Sequence, residues 1–534
     1  MKQKTLVLAA ILLAALFVLS ACGQPPADTT APPVAEAATA EPTAAPTATP
    51  TATATPSPTA TPTTTPTATP SPVPLTLAAP AEWEAAARSA GERLAASGYA
   101  WTVVAVEDPA AALADGRAQA ALQLGEGGEV VRAEPLAFAV PFTTTWEYLN
   151  GAEADAILAN GHGLVQVIRW SDMDPTIKAM RVDGRHPTDP DYPYRETWSL
   201  VAAPGHEAAA AELAPALAEA LAPLPTIRLA AVGDLNIART QAEIITTTGD
   251  FVYPFARVKS VFDAADYTIG NLETSLGDVG EPADKRYTFR SPPEAAQSLA
   301  LGGVDLVSLA NNHALDYGPE TLLQGIDLLA AAGVAVVGGG ANDAAAHAPH
   351  VAEIGGLNVA FLGYVHVPVE AVTNFDTQSW TATADAPGLA WADPARVAAD
   401  VAAIRPSVDL VVVILHSGYE YIEEPSKEQV AAARAAVDAG ADLVVGHHAH
   451  ILQGIHHYND GVIAYGLGNF VFNIEGPPET AILNVWLDRD GVRQLELIPA
   501  IVQQYGQPRL ADFEEAQTIL SRVYYLTTIL NATP

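Results

Sequence analysis

A series of short apolar runs, each followed by polar residues, constrains the fold of this chain more than any other feature. Six runs lie between residues 226 and 470. The residues that follow them are Asp234, Asn271 and Glu273, Asn311-Asn312-His313, His416, His447-His448-Ala449-His450, and Asn469. Buried strands of an open α/β sheet deliver site residues at their carboxyl ends. The pattern therefore predicts an α/β domain with a site built from its strand ends.

The residue types at these strand ends are those that bind divalent metals. Carboxylate oxygen, amide oxygen and imidazole nitrogen are ligands for Mn, Fe or Zn. The single cysteine, Cys22, leaves no thiolate set for a structural zinc site. His448 and His450 are two residues apart, so an extended segment places both imidazoles on one side. We expect one or two divalent ions; two ions about 3.5–4 Å apart would clamp a phosphoryl group.

Taken as a set, these motifs resemble the CapA family of capsule synthesis proteins, which are associated with poly-γ-glutamate biosynthesis. The motifs that carry the resemblance are Gly233-Asp234, Gly270–Glu273, Leu309–Gly318, Gly446–Gly454 and Tyr465–Phe472. They cover residues 226–475, with a looser continuation towards residue 525. The family belongs to the calcineurin-like metallophosphatase superfamily. The resemblance therefore implies a β-sandwich flanked by helices.

The resemblance also implies a role for each matching residue. It implies metal ligands at Asp234, Glu273, Asn312, His416, His448 and His450, and a catalytic acid at His313. Either Glu273 or Asn271 could occupy the position of the ligand that bridges two metals. Because His447 precedes His448, the alignment of the His-x-His motif is uncertain by one residue. Asn236 replaces a superfamily His, and Glu273 replaces an Asp. The number of ions and the activity therefore stay open: the site binds two ions, binds one ion weakly, or binds without turnover.

Three further residues are candidates for contacts around the metal or the substrate. Arg239 lies at a spacing where the family often has Arg, and it either contacts an anionic group or is a surface charge. Glu420 follows His416 closely and is a candidate for orienting it. Asp316 lies within the Leu309–Gly318 motif.

The N-terminus has the pattern of an export signal. Lys2 and Lys4 precede a charge-free apolar run over residues 5–19 that is too short to span a bilayer comfortably. The run ends in Leu19-Ser20-Ala21-Cys22, which resembles the lipobox of bacterial lipoproteins; the alternative is a plain signal peptide with an incidental cysteine. We expect residues 1–22 to be a lipoprotein signal, with lipid on Cys22 anchoring an extracytoplasmic protein to the membrane.

Two segments separate this signal from the motif-bearing body at residues 225–534. Residues 23–77 are rich in Thr, Ala and Pro and predict a disordered tether. Residues 78–224 predict a smaller α/β module. Within it, Leu136–Trp146 and Ile168–Asp172 faintly resemble the hinge strands of solute-binding proteins, and residues 181–194 either line a ligand cleft or form a surface loop over packed Trp and Tyr.

The net charge of the chain argues against two classes of binding partner. The chain has 26 Lys and Arg against 61 Asp and Glu, a formal net charge of −35. This balance argues against nucleic acid as a partner and against basic-patch adhesion to anionic lipid. An anionic polymer such as poly-γ-glutamate would need a metal, or arginines such as Arg239, to be held.

These features together predict a lipid-anchored protein of capsule or poly-γ-glutamate biosynthesis. Its body is expected to be a metal-dependent, phosphoesterase-like hydrolase domain that acts at the cell surface. The alternative is a non-catalytic, membrane-tethered component for assembly, export or polymer binding. Membrane synthase or export proteins are the expected partners in either case.

Overall fold

The structure is a computed structural model that describes residues 71–94, 98–370, 374–473 and 476–532. The expected signal, Cys22 and the expected tether up to residue 70 lie outside the described residues. None of the helices in the described ranges combines the length and the apolarity that crossing a bilayer requires.

The described chain begins with a mixed α/β module. Its strands are β1 (Val73–Ala79), β2 (Tyr99–Ala105), β3 (Ala120–Leu124), β4 (Glu129–Pro141), β5 (Tyr148–Leu149), β6 (Gln166–Arg169), β7 (Ile177–Ala179), β8 (Arg181–Val182) and β9 (Arg195–Ala202). Its helices are α1 (Glu84–Arg93), α2 (Pro109–Ala114), α3 (Gly151–Asn160) and α4 (Glu207–Ala220). The main sheet has the order β2-β1-β3-β9-β4-β6, with β7 also paired to β4.

The start of β1 corrects the predicted end of the tether. Residues 73–77 were expected in the disordered segment, but they form a strand hydrogen-bonded between β2 and β3. Leu75 and Leu77 alternate with less buried residues, and both are buried. This period-two pattern supplies the apolar face that the preceding Thr/Ala/Pro sequence lacks.

The body contains two larger sheets. The first has the order β15-β14-β11-β10-β27-β28-β29, with β26 also paired to β10, and the second has the order β17-β18-β22-β23-β25-β24. Their strands are β10 (Ile227–Leu235), β11 (Tyr267–Leu272), β14 (Leu306–Ser308), β15 (Ala335–Val337), β17 (His350–Ile354), β18 (Leu357–His366), β22 (Leu410–Ser417), β23 (Leu443–His447), β24 (Ile455–Tyr458), β25 (Gly461–Ala464), β26 (Asn469–Val471), β27 (Glu479–Asp488), β28 (Gly491–Val502) and β29 (Pro508–Leu510).

Short strands and helices complete the body. The short strands are β12 (Ser275–Leu276), β13 (Arg290–Ser291), β16 (Gly339–Gly340), β19 (Val369–Glu370), β20 (Phe375–Asp376) and β21 (Gly388–Leu389). The helices are α5 (Arg239–Thr248), α6 (Lys259–Phe262), α7 (Glu294–Gly302), α8 (Pro319–Ala332), α9 (Asp343–Ala346), α10 (Pro394–Ile404), α11 (Lys427–Asp438) and α12 (Phe513–Ala532).

The two large sheets pack face to face with helices on their outer faces. Leu229 of β10 lies in the same buried cluster as Val412 and Ile414 of β22, and this cluster fills the space between the sheets. The alternate residues of β22, Val411 and Val413, instead contact α10 and α11. Because both faces of β22 are buried, its sequence is continuously apolar. The expected fold class, an α/β structure with a β-sandwich flanked by helices, is confirmed.

The module packs tightly on the body. Trp170 and Met173 of the module share an apolar cluster with Trp486 of β27. Arg181 makes a bidentate ion pair with Glu496 of β28, with both N–O distances 3.0 Å. The stretch 181–194 thus combines a contact with the body at Arg181, an exposed turn at residues 183–185 and a buried Tyr192.

Candidate metal centre

The strand ends of both large sheets bring their polar residues together. Asp234 lies near the end of β10, and His416 and His447 lie near the ends of β22 and β23. Glycines allow the backbones to approach closely here: a Cβ on Gly233 would lie 1.9 Å from the Gly468 carbonyl oxygen, and one on Gly446 would lie 2.0 Å from that of Tyr465. This explains why Gly precedes the polar residue in the Gly-Asp and Gly-His motifs.

Two sets of three ligands converge among the described residues. Glu273, His416 and His448 form one set, and Asp234, Glu273 and His450 form the other; within each set the ligand atoms lie within 4.8 Å of one another. We call these five residues the metal centre. Glu273 belongs to both sets, which is the position of a bridging carboxylate.

The strongest feature of the metal centre is its unpartnered polar atoms. Several buried side-chain atoms around it have no hydrogen-bond partner among the described residues: both carboxylate oxygens of Glu273, Nε2 of His447, Nδ1 of His448 and Oδ1 of Asn469. Nδ1 of His447 and Nδ1 of His450 lie 3.2 Å and 3.4 Å from the Asp234 carboxylate oxygens. Buried polar groups without partners are costly and rare in native proteins. A divalent cation would coordinate oxygen and nitrogen atoms of this kind, so the residues present fit a metal.

The two carboxylates of the metal centre have opposite electrostatic environments. Burial raises the pKa of Asp234, but His447 and His450 outweigh burial and hold that pKa well below its usual range. Burial raises the pKa of Glu273 well above its usual range, and the charges of Asp234 and Glu420 raise it further. A cation beside Glu273 would offset this cost of placing a second carboxylate in the interior.

Two of the three histidines of the metal centre, His416 and His448, are held as neutral rings. Burial lowers the pKa of His448 to about 3, and burial together with the neighbouring His448 lowers the pKa of His416 well below its usual range. Burial also lowers the pKa of His450, but its contact with Asp234 outweighs burial and the net shift is upward. Neutral imidazole is the form that coordinates a metal.

Amide side chains connect the metal centre from one strand end to the next. Asn271 Nδ2 donates to Asp234 Oδ1 at 2.8 Å and lies 3.1 Å from His416 Nδ1. Asn312 Oδ1 lies 2.8 Å from His416 Nε2. Because the Asn271 amide is engaged in this way and the Glu273 carboxylate is unpartnered, the geometry favours Glu273 over Asn271 for the bridging position.

His313 and Asp316 form a buried pair beside Asn312. His313 Nδ1 lies 2.7 Å from Asp316 Oδ2, and Lys285 Nζ donates to Asp316 Oδ1 at 2.6 Å. Lys285 also donates to the Asn312 carbonyl at 2.5 Å and pairs with Glu370 at 2.5 Å. The buried Lys285 ammonium therefore contacts Asp316, which holds the candidate acid His313, the backbone of the candidate ligand Asn312, and Glu370 of β19.

The remaining predicted site residues lie around the metal centre. Asn236 donates to the backbone carbonyl of Glu273 at 2.9 Å. Arg239 is exposed, with its guanidinium 4.8 Å from the Phe289 ring centroid, and that ring lies 4.5 Å from His313. Glu420 is exposed and its charge acts on both Glu273 and His450. His447 is buried, with Nδ1 3.2 Å from Asp234 Oδ1, but it belongs to neither ligand set.

The predicted set of site residues omits Asn469 and Lys285. Asn469 ends one of the apolar runs and pairs in register with Asp234, so the strand-end pattern contained the signal for it. Lys285 lies 31 residues before Asp316 in a segment without a motif, and only the fold brings the two together. His347, which the sequence does not assign to the site, lies 2.7 Å from Asp400 and belongs to a separate contact.

Comparison with known proteins places these features in a family context. The family described as bacterial capsule synthesis protein PGA_cap matches residues 228–474. The chain is 32% identical over 307 residues to the capsule biosynthesis protein CapA of Bacillus anthracis, covering 54% of this chain and 72% of that protein. It is 31% identical over 281 residues to the PGA biosynthesis protein CapA of Bacillus subtilis (strain 168), covering 51% and 71%.

A solved structure from Staphylococcus aureus is also similar. It is assigned as a candidate 5'-nucleotidase and is in complex with α-ketoglutarate. The similarity covers 56% of this chain and 58% of that chain, with 13% sequence identity and a TM-score of 0.32.

Proposed function

Because the chain belongs to the CapA family of bacterial capsule synthesis proteins, we propose that its body is a metal-dependent hydrolase domain of capsule or poly-γ-glutamate biosynthesis. The observation that carries the proposal is the group of unpartnered buried oxygen and nitrogen atoms at the strand ends. An ordinary core satisfies such atoms, whereas a metal site leaves them free for the ion.

The chain's own residues supply the ligands for this chemistry. Glu273, His416 and His448 would hold one ion, and Asp234, Glu273 and His450 a second. A divalent ion in such a site polarises a phosphoryl or carbonyl oxygen and supplies a nucleophilic hydroxide near neutral pH. Asn271 contacts His416 at Nδ1, which leaves Nε2, 3.7 Å from Glu273 Oε1 and 2.8 Å from Asn312 Oδ1, as the nitrogen that would face the ion.

We assign proton transfer to the leaving group to His313. The Asp316 carboxylate accepts from Nδ1, fixes the ring orientation and leaves Nε2 as the nitrogen that exchanges a proton with the substrate. Lys285 in turn holds Asp316 from its other oxygen. His313 is thus positioned as in other general acid catalysts, where a buried partner fixes one nitrogen and the other reacts.

The site of action that we propose is the cell envelope. Lipid on Cys22 would anchor the chain outside the cytoplasmic membrane, and an anionic polymer with its membrane synthase or export proteins would be its partners. A Cys22→Ala variant should then move from the membrane fraction to the soluble fraction or the medium. Retention of that variant at the membrane would contradict lipid anchoring.

The metal and the activity are tested together on the purified protein. We expect bound Mn, Fe or Zn by elemental analysis, and metal-dependent hydrolysis of the reporter bis-p-nitrophenyl phosphate. The Asp234→Ala/His448→Ala double variant should lose both, while a His366→Ala control should keep both because His366 lies outside the ligand sets. Full activity in the double variant would exclude the proposal.

One observation favours a second candidate, a non-catalytic assembly, export or polymer-binding component. Asn236 replaces the superfamily His, and its amide is used to hold the Glu273 carbonyl. The site therefore has one imidazole fewer than the standard two-metal site. Protein that is gently purified with no metal and no hydrolysis, yet is required for capsule formation, would favour this candidate.

A further inference from the structure

We propose that a cavity between α11, α12 and β24 binds an amphiphilic carboxylate, a small molecule with one carboxylate on an acyl or aryl body. This helix cavity has a volume of about 580 Å³, within the roughly 300–1,000 Å³ of sites for small organic ligands. None of its lining residues belongs to the ligand sets of the metal centre, so the proposal does not depend on the hydrolase. The lining includes Val430, Arg434, His456, Tyr465, Leu526 and Leu530.

One wall of the helix cavity is apolar. Leu526 and Leu530 of α12 both line it, and because they are four residues apart they lie on the same side of that helix. Val430 of α11 lines it as well, and Val430 and Leu530 are only half-buried although both pack against the apolar cluster under α11. The Tyr525 side chain, also in the lining, is 57% exposed. An acyl chain or a ring seated here would remove this apolar surface from water.

One cation in the helix cavity lacks a hydrogen-bonded counter-charge. Arg434 Nε is buried and has no hydrogen-bond partner in the described part of the chain, and the guanidinium lies 4.6 Å from the Tyr458 ring centroid. The other arginine of the lining, Arg522, is already paired with Glu423, with Nε 2.6 Å from Oε1. Guanidinium groups bind carboxylates through parallel hydrogen bonds. Arg434 is therefore the group that a ligand carboxylate would meet.

Two uncharged polar groups line the helix cavity near Arg434. His456 and Tyr465 are both buried, and the Tyr465 hydroxyl lies 3.4 Å from His456 Nδ1. Burial, together with the Arg434 charge, lowers the pKa of His456, and burial raises the pKa of Tyr465 to about 12. Both rings are thus neutral near pH 7 and can exchange hydrogen bonds with a ligand carboxylate without adding charge.

The charges around the helix cavity favour one carboxylate over a phosphate or a polyanion. Arg522 and Glu423 neutralise each other, and the other acidic residue of the lining, Glu424, is exposed to solvent. Arg434 therefore offers one positive charge, while Glu424 would repel any further negative charge on a ligand. The apolar wall adds the second requirement, which is a hydrophobic body attached to the carboxylate.

Calorimetric titration of the purified full chain with octanoate and with 4-phenylbutyrate tests the proposal and separates an acyl from an aryl body. We expect saturable binding of at least one probe with a Kd below about 1 mM. Arg434→Met should raise that Kd at least tenfold, whereas Arg434→Lys, which keeps the charge, should raise it less. Arg117→Met, at an exposed position in the module, is the matched control and should leave Kd unchanged. Leu526→Trp should weaken binding by filling the helix cavity.

Three results would overturn the proposal. The first is no saturable binding of either probe by the wild-type chain. The second is an unchanged Kd in both Arg434→Met and Leu526→Trp, which would place the bound probe outside the helix cavity. The third concerns the ligand class: binding of the uncharged 4-phenylbutyramide as tight as that of 4-phenylbutyrate, or tighter binding of phenyl phosphate, would exclude a carboxylate as the recognised group.

Discussion

Two buried polar clusters in this molecule use similar residues to opposite effect. The interface cluster, which joins module and body, consists of Arg181, His186, Glu496, Gln494 and Asn484. Its charges are paired: Glu496 accepts hydrogen bonds from Nε and Nη2 of Arg181, and His186 lies 3.1 Å from the Gln494 amide. Among the atoms of this cluster, Asn484 Oδ1 has no partner in the described residues. The metal centre instead keeps the Glu273 carboxylate and Nδ1 of His448 unpartnered.

The comparison separates a structural cluster from a binding site. Burial acts on both glutamates, but Arg181 outweighs it at Glu496 and lowers the pKa of that carboxyl, whereas no such cation outweighs it at Glu273. A cluster that supplies its own counter-charge stabilises a contact between parts of the chain. A cluster that lacks one gains stability when it binds a cation from outside.

Exchanging each glutamate for glutamine should give opposite results in metal-free protein. Glu496→Gln leaves the partly buried Arg181 charge without its partner, so we expect the free energy of unfolding to fall by about 2 kcal/mol. Glu273→Gln removes an unpaired buried carboxylate, so we expect no loss of stability, or a gain. Urea unfolding in the presence of a chelator measures both effects.

In the presence of metal, Glu273→Gln should become the damaging substitution for metal binding and Glu496→Gln the neutral one. Glu273→Gln should lose bound metal and hydrolysis because it removes the ligand that both sets share. Glu496→Gln should keep its metal content. Equal destabilisation of the two metal-free variants would show that the two clusters do not differ as the unpartnered atoms indicate.

His313 and His186 sharpen the comparison because both rings are buried and partnered. His313→Asn should lower kcat about 100-fold, the usual loss for a general acid, with metal content unchanged. His186→Asn should leave kcat unchanged, because the ring stacks on Trp486 at 4.2 Å and belongs to the interface cluster. Steady-state hydrolysis of the reporter ester measures both, and an equal loss in the two variants would remove His313 from catalysis.

The two clusters also differ in how far the sequence predicts them. Every residue of the metal centre follows an apolar run in a short motif, so its convergence is readable from strand pattern and residue type. The interface cluster joins Arg181 to Glu496 across 315 residues, and neither lies in a motif. Lys285 was missed for the same reason, since only folding brings it to Asp316.

The module was the least predictable part. Its order of strands and helices reads as α/β, but the sequence cannot show which face packs on the body. Trp170 illustrates this: the sequence placed it in a stretch that faintly resembles a hinge strand, whereas its ring packs in one apolar cluster with Trp486 of the body. Aromatic residues at such a contact have no periodicity that would identify them.

Acidification should weaken the interface cluster through His186. Burial lowers the pKa of His186 to about 3, so between that value and 6.5 the unfolded chain binds a proton that the folded protein does not. Stability therefore falls as the pH falls through this window. Between about pH 7.5 and about pH 5.5, we expect the wild type to lose about 1.4 kcal/mol more than His186→Gln, measured as free energy of unfolding. Equal losses in the wild type and in His186→Gln would mean that a group other than His186 causes the pH dependence.

The smallest expected effect concerns a second contact between module and body. Lys178 donates to the Tyr524 hydroxyl at 2.9 Å and pairs with Glu147 at 2.7 Å. Tyr524→Phe removes the first partner and keeps the second, so we expect the free energy of unfolding to fall by about 1 kcal/mol. Tyr525→Phe is the matched control, because the Tyr525 side chain is exposed and its substitution should change stability little. An equal effect of the two variants would mean that the Lys178–Tyr524 hydrogen bond does not stabilise the contact, and that the interface relies on its apolar and Arg181–Glu496 contacts.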